Sequence, residues 1–144
     1  MSWRRTLIVS ATAVASAISA SPLSAADPTD LQYVSTVSGA VRCVISSEHV
    51  ACERSGPGGF PDAPPSGDGA DMNMNIASVK TDGSFDWALA NMGAGPDGGP
   101  VVLQYDQPYN IKGWSVAPSF NGTRFTNDGT GHGMFVSIDG VDPF

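Results

Sequence analysis

The feature that most constrains the fold is the frequency of glycine and proline between short runs of alternating apolar and polar residues. The chain has 17 glycines and 11 prolines in 144 residues. Valine, isoleucine, threonine and aromatic residues occur between these breaks, and this distribution favours strands and turns over helices. We therefore predict an all-β domain, a single sandwich or small barrel of about seven or eight short antiparallel strands.

The two cysteines, Cys43 and Cys52, fall in adjacent alternating runs that predict a β-hairpin. A two-residue turn at Ser47-Glu48 and a four-residue loop over Ser46–His49 give the same register. In that register Cys43 lies opposite Cys52 at a non-hydrogen-bonded position, where the Cα atoms come close enough for a disulfide. The spacing lacks the Cys-x-x-Cys pattern of a redox or zinc site. We therefore predict a structural disulfide.

Alternation along the rest of the chain predicts further strands. Asn121-Gly122 is the strongest hairpin signal, because both residues tolerate the left-handed conformation. The large aromatic residues lie at alternating positions and are expected in the core, although they could instead line a ligand cleft. These aromatic residues are Phe85, Trp87, Trp114, Phe120 and Phe125. The predicted strands outside the cysteine hairpin are Leu31–Thr36, Met72–Lys80, Ser84–Asn91, Val101–Tyr105, Tyr109–Phe120, Thr123–Thr126 and Met134–Ile138.

A long segment rich in glycine and proline, residues 55–71, follows the cysteine hairpin. It cannot form a sheet ladder, because its prolines lack amide donors and its glycines resist ordering. Irregular segments of this length are uncommon in a compact domain, and many are functional or mobile. Phe60 is the one large apolar side chain in it, so we expect Phe60 to dock on the sheet.

The first 26 residues have the organisation of an export signal. Arg4-Arg5 provides a positive start, Thr6–Ala20 is apolar and uncharged, and Ser24-Ala25-Ala26 offers small residues for cleavage. This order is typical of a signal peptide, and the apolar run is too short to span a bilayer. We therefore predict cleavage before Asp27 and a single exported domain over 27–144, without stable membrane insertion. The paired arginines leave the general secretory and twin-arginine routes both open.

The charge of the chain excludes two classes of partner. The formal net charge is −7 at pH 7. Since the basic residues are few and scattered, the chain has no electrostatic footprint for nucleic acid or anionic lipid. No motif for a cofactor is present, and we predict none.

The segment from Arg124 to His132 is the most distinctive stretch for chemistry. Arg124, Asn127, Asp128 and His132 form a candidate functional turn, and a histidine near a carboxylate can act as a general base. The simplest interpretation is that Asn127 and Asp128 cap a turn, that the glycines supply positive φ and that His132 is exposed at the tip. Metal binding and catalysis are the alternatives. No nucleophile motif accompanies the turn, so we assign neither a catalytic residue nor a metal ligand.

Two blocks resemble small exported proteins of mycobacteria and related actinobacteria, a family that is uncharacterised. The first is the hairpin Val41–Cys52, and the second is Gly113–Ser137. The second ends with Gly-Thr-Arg-Phe-Thr-Asn-Asp-Gly-Thr-Gly-His-Gly-Met-Phe-Val-Ser, and it is the more specific of the two. The resemblance implies export and an envelope or extracellular setting. It supplies no catalytic residues.

These features favour a non-enzymatic binding or interaction module of the cell envelope or extracellular space. Its partner would be an envelope or extracellular protein or a glycan, recognised by residues 55–71, residues 127–133 or both, because loops on rigid β scaffolds often carry recognition. One alternative is a small hydrolase or metal-dependent enzyme centred on His132 and Asp128. The other is a structural envelope protein without a discrete site.

Overall fold

The computed structural model describes residues 30–67, 69 and 71–144, and this part of the chain is all-β with almost no helix. The predicted signal peptide, residues 1–26, lies outside the described residues. Nothing in the described part is a helix of the length and apolarity that a membrane crossing requires. Its eleven strands are β1 (Gln32–Thr36), β2 (Val41–Ile45), β3 (His49–Arg54), β4 (Ile76–Lys80), β5 (Phe85–Ala88), β6 (Val101–Leu103), β7 (Tyr109–Ile111), β8 (Trp114–Ser119), β9 (Gly122–Asn127), β10 (Gly133–Val136) and β11 (Val141–Pro143).

The strands form two sheets, each built mainly from strands that are neighbours in the chain. Sheet I has the order β5-β4-β3-β2-β1-β6, and sheet II has the order β11-β10-β9-β8-β7. Neither closes into a barrel, so the fold is a sandwich-like all-β arrangement. All pairs between these strands are antiparallel except β1 with β6, which is parallel.

The predicted number of strands and their uniformly antiparallel pairing are wrong. Residues 109–120, predicted as one strand, are β7 and β8 joined by Lys112-Gly113, whose φ angles are 51° and 84°. Two positive φ angles are what a type I′ hairpin turn requires. Lysine is uncommon at positive φ, so the sequence signals this turn weakly. The short strand β11, which ends at Pro143, was not predicted at all.

A glycine-rich connection crosses the outer face of sheet I, the face that looks away from sheet II. This connection, residues 89–100, leads from β5 at one edge to β6 at the other, and we call it the strap. Arg42 Nη1 donates a hydrogen bond to Gly93 O at 3.1 Å. A Cβ at Gly95 would lie 3.1 Å from the Tyr33 ring, so glycine allows the strap to rest on that ring. The strap thereby brings β6 alongside β1, and the resulting pair is parallel.

The inner faces of both sheets share one hydrophobic core. Trp114 is its largest fully buried side chain, and its Nε1 donates to Ser46 O at 2.9 Å, which satisfies the indole and links the two sheets. The strand residues of this core are Val34, Val41, Cys43, Ile45, Val50, Cys52, Ala77, Val79 and Leu103 from sheet I and Trp114, Val116, Phe125, Met134, Val136 and Val141 from sheet II.

The cysteine hairpin is confirmed. Cys43 lies opposite Cys52 with the Cα atoms 4.0 Å apart, and the two form a disulfide. The ladder ends at the Ile45–Val50 pair, and Ser46 N donates to His49 O at 2.9 Å across the loop that has Ser47-Glu48 at its tip. Ser46 Oγ accepts the His49 amide at 3.1 Å, which supports a turn whose residues are not the preferred ones. Closing so short a loop stabilises the fold by about 2.6 kcal/mol in the chain-entropy model.

The described residues of the segment 55–71 are anchored to the body of the protein. Phe60 is completely buried and packs against Trp87, with ring centroids 5.5 Å apart, so the predicted docking of Phe60 is confirmed. Asp62 Oδ2 accepts the Val141 amide at 2.8 Å, which ties the segment to β11 of sheet II. A region that the sequence marks as irregular therefore packs into the core and contacts the edge strands β5 and β11.

The predicted strand over residues 72–80 is shorter, because its first part pairs with the 55–71 segment. Met74 N donates to Pro64 O at 2.8 Å, and Phe60 N donates to Met74 O at 3.0 Å. An isolated bridge joins Pro65 to Asn73. The ladder with β3 therefore begins only at Ile76.

Candidate functional site

The turn between β9 and β10, residues 127–133, contains three of the four predicted site residues. Asn127 is 7% exposed, and its Oδ1 accepts the amides of Gly129 at 3.0 Å and Thr130 at 3.1 Å. Thr130 Oγ1 in turn donates to Thr81 O in the β4–β5 turn of sheet I. Asn127 therefore holds the turn in shape, and the turn joins the two sheets.

Asp128 is bound to side chains of the neighbouring strands of sheet II. Its Oδ2 accepts Asn110 Nδ2 at 2.7 Å, and its Oδ1 accepts the hydroxyl of Ser115. The hydrogen bond from Ser115, followed by that from Asn110, holds the pKa of this exposed carboxyl below its ordinary value of 3.8. Asp128 is therefore a stable anion whose described partners are neutral donors, which suits a structural acceptor better than a proton acceptor at neutral pH.

His132 is exposed, and its neighbours differ from those of Asp128. Its Nδ1 lies 3.4 Å from Phe144 O. A Cβ at Gly83 would lie 2.8 Å from the imidazole ring, so the ring covers the β4–β5 turn. No hydrogen bond joins His132 to Asp128 within the described chain. The structure therefore does not assemble the predicted acid–histidine pair.

Arg124 projects from β9 and, like His132, contacts Phe144. Its guanidinium carbon lies 3.7 Å from the centroid of the Phe144 ring, a cation–π contact. Gly133 and Phe144 exchange two backbone hydrogen bonds of 2.9 Å each. In the residues that the structure describes, no group of three or more His, Cys, Asp or Glu side chains could hold a metal ion. The side chains of the four predicted site residues thus contact three different sets of partners. Arg124 and His132 lie against Phe144, Asn127 binds amides of its own turn, and Asp128 binds side chains of β7 and β8.

A cleft lies at the opposite end of the sandwich. Strand β9 begins at Gly122, which lines the cleft, and ends at Asn127 in the turn just described. The cleft has a volume of about 310 Å³, the lower end of the range for small-ligand sites. It is formed by the turns β1–β2, β8–β9 and β10–β11 and by the start of the β6–β7 connection. Its lining residues are Thr36, Ser38, Val41, Tyr105, Ser119, Phe120, Asn121, Gly122, Ile138 and Asp139.

Exposed apolar side chains surround this cleft. Phe120 is 85% exposed, Ile138 is 52% exposed and Tyr105 is 38% exposed. The Phe120 and Tyr105 rings meet edge to face with centroids 6.1 Å apart. These residues come from three connections that are distant in the chain, so the apolar patch is a product of the fold.

The prediction that Phe120 belongs to the core is wrong. Pro118 is buried as the alternation requires, but the chain reverses before Phe120 can follow it inward. Ser119 pairs with Gly122, so Phe120 and Asn121 occupy the tip of the hairpin. Gly122 has φ of 152°, and a Cβ there would lie 2.5 Å from the Phe135 ring. The predicted hairpin is therefore confirmed, with its tip one residue earlier than Asn121-Gly122.

Some polar groups of the cleft already form hydrogen bonds within the protein, and others do not. Ser119 Oγ donates to Gly122 O at 2.8 Å, and Thr36 Oγ1 accepts the Val41 amide at 3.3 Å. In the described chain, the side-chain amide of Asn121 and the carboxylate of Asp139 have no hydrogen-bond partner. These two groups remain available to a ligand.

Comparison with models of known protein families, with curated proteins and with solved structures finds no match for this chain.

Proposed function

We propose that this protein is an exported, non-enzymatic binding module whose recognition surface is the Tyr105–Phe120 cleft. The observation that carries the proposal is the 85% exposure of Phe120 at a hairpin tip. Burying a phenylalanine side chain stabilises by about 1.5–3 kcal/mol, and a partner that covers Phe120 would gain that free energy. Exposed aromatic residues that stand in a cleft are typical anchors of binding sites.

The support of the cleft by two rigid sheets strengthens the proposal. Tyr105 follows β6 of sheet I, and Phe120 follows β8 of sheet II. Arg54 Nε donates to Ile138 O at 3.0 Å, which fixes the third apolar residue of the cleft from sheet I. A site held in this way loses little conformational freedom when a partner binds.

The cleft is a better recognition surface than the two segments that the sequence favours. Phe60 and Asp62 attach residues 55–71 to the core and to β11. Asn127 and Thr130 engage the polar groups of residues 127–133 within the protein. Among the described residues of the two segments, none is an exposed apolar side chain comparable to Phe120.

The setting of the proposed function is the cell envelope or the extracellular space, with an envelope or extracellular protein or a glycan as partner. The disulfide between Cys43 and Cys52 is consistent with an oxidising compartment. The signal-like residues 1–26 support the same setting.

Differential capture tests the proposal. Envelope and culture-medium extracts are passed over the immobilised protein, its Phe120→Ala variant and its Leu89→Ala variant. Leu89 is 43% exposed on the strap and does not line the cleft, so it is a matched apolar control. We expect one or more components that are retained by the wild type and by Leu89→Ala and are lost with Phe120→Ala. Identical retention by all three would overturn the proposal.

A further inference from the structure

The charge of the cleft is set by one carboxylate. Asp139 is the charged side chain among the described residues that line the cleft, and no lysine or arginine accompanies it there. It lies in the β10–β11 turn, where its amide is bound to Ser137 Oγ at 3.2 Å. Its carboxylate is exposed and has no partner within the described chain. A free carboxylate beside apolar side chains favours a ligand with a positive charge.

The neighbouring charges reinforce this preference. Asp106 directly follows Tyr105 and is exposed. The Asp62 carboxylate lies against Gly140, where a Cβ would be 2.6 Å from Oδ2. Arg54 brings the opposite charge, but its Nε and Nη1 donate to the carbonyl oxygens of Ile138 at 3.0 Å and Gly59 at 2.9 Å. With a net charge of −7, the whole molecule also attracts cations.

The aromatic rings supply the second half of a cation site. The side chains of arginine and lysine bind over the faces of aromatic rings. The protein shows this contact elsewhere, between Arg124 and the Phe144 ring at 3.7 Å. Phe120 leaves most of its surface free for the same kind of contact.

The geometry points to an arginine or lysine side chain of a partner polypeptide as the ligand of the Tyr105–Phe120 cleft. The apolar stem of the side chain would lie on Phe120 and Ile138, and its charged end would meet Asp139. The Asn121 amide oxygen offers a second acceptor. This inference rests on the proposed function and names the chemistry of its partner.

Nuclear magnetic resonance titration with two tripeptides tests the inference on the purified protein. The probes are acetyl-Ala-Arg-Ala-amide and its citrulline counterpart, which has the same shape without the charge. We expect the arginine peptide to shift the resonances of the Gly122 backbone amide and the Asn121 side chain. We also expect it to bind at least tenfold more tightly than the citrulline peptide and to weaken as salt is added.

Three variants locate the interaction. Asp139→Asn and Phe120→Leu are expected to weaken the arginine peptide at least threefold each. Asp97→Asn, an exposed carboxylate on the strap, is the matched charge control and is expected to leave the affinity unchanged.

The outcomes separate the inference from the proposed function. Equal binding of the two peptides, or no binding of the arginine peptide, would overturn the inference. If Phe120→Ala still abolishes the capture of extract components, the cleft remains the recognition surface and its partner is not cationic. If capture is also unaffected by Phe120→Ala, both proposals fail.

Discussion

Phe60 and Phe120 occupy opposite environments within the same fold. Phe60 belongs to an irregular segment and is completely buried, whereas Phe120 follows a regular strand and is 85% exposed. The difference arises because Asn73 and Met74 pair with the backbone around Phe60, while the β8–β9 hairpin turns before Phe120 can reach the core. One phenylalanine therefore contributes to stability and the other is free to contact a partner.

Alanine substitution of these two residues should have unequal effects. We expect Phe60→Ala to lower the free energy of unfolding by about 3–5 kcal/mol, because it removes a buried ring and leaves a cavity. Phe120→Ala should change it by less than about 0.5 kcal/mol, as at other exposed positions. Urea denaturation monitored by tryptophan fluorescence measures both values. Similar losses for the two variants would contradict the burial of one ring and the exposure of the other.

Asp128 gives a prediction about pH. Its pKa is lowered in the folded protein by hydrogen bonds from Ser115 and Asn110, so its ionised form favours folding. This contribution is complete above the unfolded pKa, which is near the ordinary value of 3.8, and is lost as the pH falls through the lower folded value. Asp128→Asn should therefore be less stable than the wild type at pH 7, and the difference should shrink below about pH 4.

Thermal unfolding of the wild type and Asp128→Asn between pH 2 and pH 7 measures this difference. Asp97→Asn serves as the control, because Asp97 is an exposed strap carboxylate without a side-chain hydrogen bond in the described chain. A difference between wild type and Asp128→Asn that does not change with pH would contradict the role of the ionised carboxylate.

The β9–β10 hairpin depends on two glycines for different reasons. At Gly133 a Cβ would lie 1.8 Å from Phe125 O on the paired strand. At Gly131 a Cβ would meet nothing within 4 Å, but φ is +78°. The first glycine is required by the close approach of two backbones, and the second only by a left-handed conformation.

Alanine at these two positions should separate the two requirements. We expect Gly133→Ala to cost more than about 4 kcal/mol or to prevent folding, because a backbone atom must move. Gly131→Ala should cost about 1–2 kcal/mol, the strain of a left-handed residue with a Cβ. Circular dichroism and urea denaturation check both. An equal cost would show that the close contact at Gly133 relaxes without consequence.

The sequence was most informative where a local pattern had one physical solution. In the cysteine hairpin, period-two alternation and a short turn fix the register, and both the pairing and the disulfide followed correctly. It was least informative where long-range contacts decide the outcome. The parallel pairing of β6 with β1 depends on the strap, and no local pattern of residues 101–103 specifies it.

The candidate site shows the same contrast. The segment from Arg124 to His132 is distinctive in composition, but Asp128 is bound by side chains of β7 and β8, Asn127 by amides of its own turn, and Arg124 lies on the Phe144 ring. The cleft combines Tyr105, Phe120 and Ile138, and no pattern in the sequence indicates that these three residues lie close together. The one local signal for the cleft was Phe-Asn-Gly at a predicted hairpin tip. If the tip is placed at Phe120-Asn121, the Phe120 ring is exposed.

The whole molecule gives a test of the export hypothesis. We expect the protein recovered from the culture medium to begin at Asp27, because cleavage after Ala26 follows the signal-like segment. Its intact mass should equal that of residues 27–144 less two hydrogen atoms, since Cys43 and Cys52 are bonded. Mass spectrometry with and without reductant measures both. A retained signal segment would contradict cleavage, and labelling of native thiols would contradict the disulfide.

The strap has a consequence for the continuity of the chain. It separates two meanders in the sequence, β1–β5 and β7–β11. Strand β6 follows the strap in the sequence but pairs with β1 of sheet I. A single cut among the exposed glycines of the strap would therefore leave two fragments that share a core and a β1–β6 ladder. Such fragments would remain associated after nicking, and when produced separately they would reconstitute the protein only by folding together.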